Sequence, residues 1–202
     1  MGAAEDKQAL RQALRAAAAQ LDEGALAAGD AAMAKRLQAL DVWREAKTVF
    51  CYVSVRTEPG TRALIAAALA AGKRVCVPRC LGGAVMEARA IPALEVLKPA
   101  GYGLLEPDDA MPRVPPQAID LVVAPCVAAD RLGYRLGNGA GYYDAYLPKV
   151  RCPVVCLCRA PLLQAKLPRE AFDVPVTLVV SENEVLGPFA HEDTGRARDA
   201  HV

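Results

Sequence analysis

Apolar residues recur along the chain in blocks that switch repeatedly between helical and strand spacing. From Lys7 to about Asp22 an Ala-rich stretch carries Leu10, Leu14 and Leu21 as an apolar stripe. Lys7, Arg11 and Arg15 stand four residues apart on one face, which predicts an amphipathic helix. A second helix is expected to follow Asp30 as N-cap and run toward Trp43. The β-branched and aromatic run 48–55 predicts a buried strand, and a helix over 61–71 should then end at Gly72. Further strands are predicted at 74–78, 86–91, 120–125, 153–158 and 174–180, with proline-rich surface loops at 92–99 and 107–116.

Short β-α-β spacing with near-continuous apolar strands predicts the α/β class: a single three-layer α/β/α domain with a mostly parallel sheet. The domain is expected over residues 1–187. The polar stretch 188–202, which holds His191 and His201, has the composition of a disordered tail. Sites in such sheets lie beyond the carboxyl ends of strands, where the loops after Val55 and Cys126 would emerge.

With 202 residues, 53% hydrophobic content and a net charge of +1, the chain can bury one sizeable core and presents no polybasic surface for nucleic acid. Its apolar runs, such as 65–71, are far shorter than a membrane span, and the start of the chain is charged. A soluble cytoplasmic protein, monomeric or weakly oligomeric, is the expectation. Cys51, Cys76, Cys126, Cys156 and Cys158 stand among Val, Leu and Phe as buried thiols would, and no cysteine pair has structural-zinc spacing. The two histidines lie in the tail and the serines are only Ser54 and Ser181. Triad hydrolysis and histidine-ligated zinc are thereby disfavoured, leaving catalysis to positioning, cations and Mg²⁺.

The densest chemistry lies at 131–144, Arg-Leu-Gly-Tyr-Arg-Leu-Gly-Asn-Gly-Ala-Gly-Tyr-Tyr-Asp. Alternating Gly137, Gly139 and Gly141 let successive backbone N–H groups converge on an anion, with Arg131 and Arg135 supplying charge. Asp144 falls in a short helix expected over 142–147, where it could ligate Mg²⁺. A Walker loop would need Lys and a hydroxyl residue after Gly141, and a dinucleotide fingerprint would need Gly at 142; the chain has neither. The plain alternative is a glycine-rich turn between strand and helix.

Residues 120–144, with Lys7-Gln-Ala-Leu-Arg11, Tyr52-Val-Ser with Glu58 and Thr61, residues 72–79, residues 102–107 and Phe172-Asp173, occur in an order that resembles the 5-formyltetrahydrofolate cyclo-ligase family. The resemblance spans most of residues 7–185. It implies a three-layer α/β/α enzyme that uses ATP and Mg²⁺ to convert 5-formyltetrahydrofolate to 5,10-methenyltetrahydrofolate. In that reaction the formyl oxygen is phosphorylated, N10 attacks and phosphate departs, so a histidine-free site suffices.

By matching position the resemblance implies ATP contacts from Lys7, Arg11, Arg135, Leu136, Gly137, Asn138, Gly139, Ala140, Gly141, Tyr142 and Tyr143, with Arg135 as the catalytic cation. Folate contacts are implied for Val53 and Glu58 and for Asn138, Gly139, Ala140, Gly141 and Tyr142. Asp144 and Asp173 match the Mg²⁺-associated carboxylates. Read alone, Glu58 is equally a helix-start carboxylate, Asp173 a turn residue and the Lys7–Arg11–Arg15 stripe a solvated face. Ala129, Asn138, Ala140 and Phe172 depart from the family's usual residues, mostly by removing bulk or charge near the implied ligands. Those departures keep open a divergent ATP-binding relative with another small substrate, or a nucleotide-binding domain without turnover.

Overall fold

The computed structural model describes residues 3–170 and 173–189, with the side chain of Tyr102 left aside. The expected tail, apart from Pro188 and Phe189, lies outside the described residues, and so does Phe172.

Helix α1 (Ala3–Ala18) carries Glu5 and Asp6 in its first turn and Arg15 in its last, matching the helix dipole at both ends. Helix α2 (Glu23–Gln38) begins earlier than its sequence suggests. Asp22 is the cap, its carboxylate accepting the Ala25 N–H at 3.0 Å, and Asp30 sits within the helix. Helix α3 (Asp41–Glu45) precedes strand β1 (Thr48–Cys51), and α4 (Arg62–Ala70) leads to β2 (Arg74–Gly82) and β3 (Val85–Ile91). Gly72, at φ 74°, closes α4 as expected. The proline-rich segments are not wholly irregular: they contain β4 (Lys98–Pro99) and β6 (Arg113–Val114), with β5 (Leu105–Glu106) pairing β4. Then come β7 (Leu121–Ala124), β8 (Ala128–Asp130), β9 (Arg135–Leu136) and α5 (Tyr142–Tyr146). The remaining strands are β10 (Val154–Leu157), β11 (Leu163–Gln164), β12 (Leu178–Val180) and β13 (Val185–Leu186).

The main sheet has eight strands in the order β13-β12-β10-β7-β1-β2-β3-β6. Its centre, β12 through β2, is parallel, while β13, β3 and β6 add antiparallel edges. The strands alternate their side chains between two cores. Phe50, Cys76, Val122, Ala124, Cys156 and Val179 pack toward Leu14 and Ala18 of α1 and Tyr146 of α5. Val49, Val75, Leu121, Val123, Val155 and Leu157 face Met33, Leu37, Trp43, Leu64 and Ile65. This is a three-layer α/β/α arrangement. Burying both faces of the parallel strands explains why their sequences read as continuous apolar runs.

Strand β1 stops at Cys51, short of the expected Val55: Tyr52 N–H still reaches Val123 O at 3.4 Å, but the N–H groups of Ser54 and Val55 turn to local side chains. Ser54 N–H goes to Thr61 Oγ1 and Val55 N–H to Glu58 Oε2, both at 3.0 Å. Strand β12 likewise starts only at Leu178, since Val176 N–H is taken by Gly133 O across the glycine-loop region. Five of the seven cysteines are buried, Cys80 and Cys152 are partly so, and all are free thiols.

Candidate active site

Parallel strands β1, β7 and β10 deliver three loops to one end of the sheet, and α1 crosses beside them. The loop after β9 carries the alternating glycines. Gly139 and Gly141 have φ of 97° and 75°, a left-handed backbone that side chains disfavour, and Gly141 leads directly into α5. Asn138, Gly139 and Ala140 are exposed. Leu136 and Val53 are both buried, so each can offer a ligand little beyond its backbone.

The basic stripe of α1 is not a solvated face. Lys7 Nζ meets Glu170 Oε2 at 2.7 Å and Asp173 Oδ2 at 2.6 Å, Arg11 Nε donates to Gly137 O at 2.8 Å, and Arg15 Nη2 donates to Asn138 Oδ1 at 2.8 Å. Burial opposes the charge on Lys7, but the two carboxylates more than offset it, so its pKa stands above the ordinary lysine value. Arg15 belongs to this surface although only Lys7 and Arg11 were expected in it. Its spacing of four from Arg11 is the signal that points to it.

Arg135 lies under the glycine loop with its side chain only 5% exposed, paired through Nη2 to Asp144 Oδ1 at 2.7 Å. Its guanidinium stands 5.7 Å from the Tyr143 ring centre, and its Nε is buried without a hydrogen-bond partner. The Tyr143 hydroxyl is also buried and unpartnered, its ring stacked near Phe50. Burial, then the Cys51 and Glu58 sites, push the Tyr143 pKa well above the ordinary phenol value despite Arg135. Tyr142 lies against the hairpin of β2 and β3, near Cys80 and Gly82.

Glu58 is brought to this loop across 80 residues of sequence: its Oε1 accepts Asn138 Nδ2 at 3.0 Å while Oε2 holds Val55 N–H. It is therefore neither a helix-start residue nor a solvated one. Burial raises its pKa above the ordinary glutamate value, against the opposing pull of Val55 N–H, the Asn138 amide and the Arg15 and Arg56 charges. Asp144 and Asp173 sit on different cations, Asp144 with Arg135 and Asp173 with Lys7 and the Glu170 N–H. Among the described residues no three His, Cys, Asp or Glu side chains converge as metal ligands.

Of the departures, Asn138 is built into the site as a bridge between Arg15 and Glu58. Ala129 is not a pocket residue. It is completely buried in β8, in register with Arg135 and Leu163, so its small size concerns the core beneath the loop.

An open α/β sheet whose loops and helix α1 bring a glycine-rich turn, three arginines and a half-buried carboxylate together has the layout of α/β enzymes that bind their ligands beyond the strand ends. Comparison with known proteins narrows this. The 5-formyltetrahydrofolate cyclo-ligase family matches residues 3–182, and on that match the chain belongs to the family. A 5-formyltetrahydrofolate cyclo-ligase of Mycolicibacterium smegmatis is 35% identical over 67% of this chain and 73% of its own length. A probable one from Schizosaccharomyces pombe is 27% identical over 89% of this chain and 97% of its own. The solution structure of 5,10-methenyltetrahydrofolate synthetase from Aquifex aeolicus superposes with a TM-score of 0.82 at 27% identity, covering 96% of this chain and 99% of that one.

Proposed function

We propose that the protein closes 5-formyltetrahydrofolate to 5,10-methenyltetrahydrofolate at the expense of ATP, releasing ADP and phosphate. One observation carries this: the Glu58–Asn138 contact joins a half-buried carboxylate, suited to pterin N–H donors, to the loop suited to phosphate. Transfer of a phosphoryl group to a formyl oxygen needs both substrates held in line in one place, and little covalent chemistry from the protein.

The residues divide the work by what they can offer. The backbone of Gly137, Gly139 and Gly141, with Leu136 and Ala140 between and beside them, cradles the triphosphate, and Arg11 and Lys7 contribute charge from α1. Arg135 lies where its unpartnered Nε can meet charge developing on the transferred group. Glu58 and the Val53 backbone orient the pterin, and Tyr142 and Tyr143 wall the site. The donor set fits Mg²⁺ carried largely by phosphates and water, which is how this ion is usually bound. Asp144 and Asp173 would be the protein carboxylates offered to it. When bound, Mg²⁺ neutralises phosphate charge.

No helix among the described residues is long and apolar enough to cross a membrane, and we place the protein in the cytoplasm as a monomer or weak oligomer, without nucleic-acid or membrane partners. The decisive experiment adds 5-formyltetrahydrofolate, ATP and Mg²⁺ to purified protein and follows the absorbance of the methenyl product. Absence of any ATP-dependent rise would reject the reading.

Two predictions follow from the site's electrostatics. Glu58 must be ionised to accept pterin N–H groups, so kcat/KM for the formyl substrate should fall as pH drops through a value above the ordinary glutamate pKa. Glu58→Gln should remove that acid limb and raise the folate KM by about 10- to 100-fold, the worth of a charge-assisted pair. A pH–rate profile checks both. Arg11→Ala should weaken ATP binding in calorimetry by roughly 10-fold with folate binding little changed, because its one described loop contact is to Gly137 O. Equal ATP affinity would make the contact a helix-docking bond only.

A further inference from the structure

Arg159 stands two residues beyond the end of β10 and is only 2% exposed. Its guanidinium is spent on one neighbouring loop and on α2. Nε donates to Thr57 O at 2.9 Å, Nη2 to Glu58 O at 3.0 Å and Nη1 to Leu26 O at 3.4 Å. Asp30, in α2, supplies the counter-charge at 2.9 Å from Nη2. Burying a guanidinium is costly, and an apolar side chain would fill the same volume more cheaply.

The turn that Arg159 holds is bonded within itself through Val55 N–H to Glu58 Oε2 and Tyr52 OH to Pro59 O, yet the carbonyls of Thr57 and Glu58 are taken by Arg159. Arg56 adopts φ 53°, a left-handed conformation disfavoured for a non-glycine residue, and the turn is tied by Glu58 N–H to Val55 O at 3.1 Å. The loop then presses on α2 at Gly60, where an added Cβ would lie 2.4 Å from Asp30 Oδ2. Asp30 and Arg159 thus form a floor under residues 57–60, and the Glu58 carboxylate stands on the other side of the same turn, against Asn138.

We propose that Arg159 is a positioning residue that fixes Glu58 for the formyl substrate and thereby sets the affinity for that substrate, separately from ATP. It rests on the cyclo-ligase reading above. Each of its polar contacts goes to the 57–58 carbonyls or to α2, and none to the 135–144 segment that would hold nucleotide. A fork of fixed donors can hold two consecutive carbonyls at once, which the point charge of a lysine cannot.

The test is steady-state kinetics of the full chain with each substrate varied in turn. Arg159→Met should raise the KM for 5-formyltetrahydrofolate about 10-fold or more, with kcat changed less and the KM for ATP within about 2-fold. Arg159→Lys should recover part of the loss. Should Arg159→Met fail to fold, Asp30→Asn decides: it keeps the shape, removes the counter-charge, and should raise the folate KM by roughly 3-fold without moving that for ATP. An unchanged folate KM, or parallel rises in both KM values, would overturn the role of Arg159 while wild-type turnover upholds the reaction. Absence of wild-type turnover would overturn the reaction and this role with it.

Discussion

Arg135→Ala is expected to lower kcat by about 100-fold or more while changing the KM for the formyl substrate far less, the loss typical of a donor used chiefly in the transition state. The side chain is 5% exposed and one of its donors, Nε, is buried without a partner, an arrangement costly to keep unless an acceptor arrives. Asp144 Oδ1, paired with Nη2, holds the fork in place beneath the glycines. Arg135→Lys should restore only part of the rate, because a point charge cannot keep Asp144 and serve a phosphoryl oxygen with the same geometry. Single-turnover measurement of product formation separates this from slow product release. An unchanged chemical step would remove Arg135 from the reaction.

Asp130→Ala is expected to produce the largest loss of stability of any single change near the site. The carboxylate is completely buried and collects four donors: Oδ1 takes the Leu132 and Tyr134 N–H groups, and Oδ2 takes Leu167 N–H and Arg169 Nη2. The Arg169 guanidinium in turn lies 3.7 Å from the Tyr134 ring centre. Truncation strands these donors together with a cation, a loss of roughly 3–5 kcal/mol, or about 6–20 °C in melting temperature for a chain of this size. Since Tyr134 directly precedes Arg135, activity should fall even at temperatures where the variant is folded. Thermal unfolding beside kcat at low temperature checks both statements. A melting temperature within a degree or two of the wild type would show that the 130–135 turn is held by its backbone alone.

Much of the architecture is written locally. The switch between helical and strand periodicity placed most elements close to their observed positions, and continuous apolar strands required helices on both faces of the sheet. The alternating glycines at 137, 139 and 141 marked the turn that leads into α5, because positive φ at Gly139 and Gly141 is a property of single residues. The stripe of Lys7, Arg11 and Arg15 was legible as a face of α1, since spacing along a helix is local too.

Partners distant along the chain decided the rest. Asp22 and Asp30 both precede Ala-rich sequence and offer the same capping chemistry. Packing selected Asp22, leaving Asp30 to face Arg159. Strand β1 did not run on to Val55 because Thr61 and Glu58 took the N–H groups of Ser54 and Val55, a choice made by folded side chains against strand propensity. The antiparallel edges, the burial of Ala129 and the meeting of Glu58 with Asn138 depend equally on which loops the sheet brings to one end. Sequence by itself determined the class of fold and the loop that can hold phosphate, because propensity and glycine conformation act within a few residues. Tertiary structure alone decided that a half-buried carboxylate, Glu58, and a buried arginine, Arg159, stand behind that loop, because their energies come from desolvation and from hydrogen bonds that exist only after distant segments have packed.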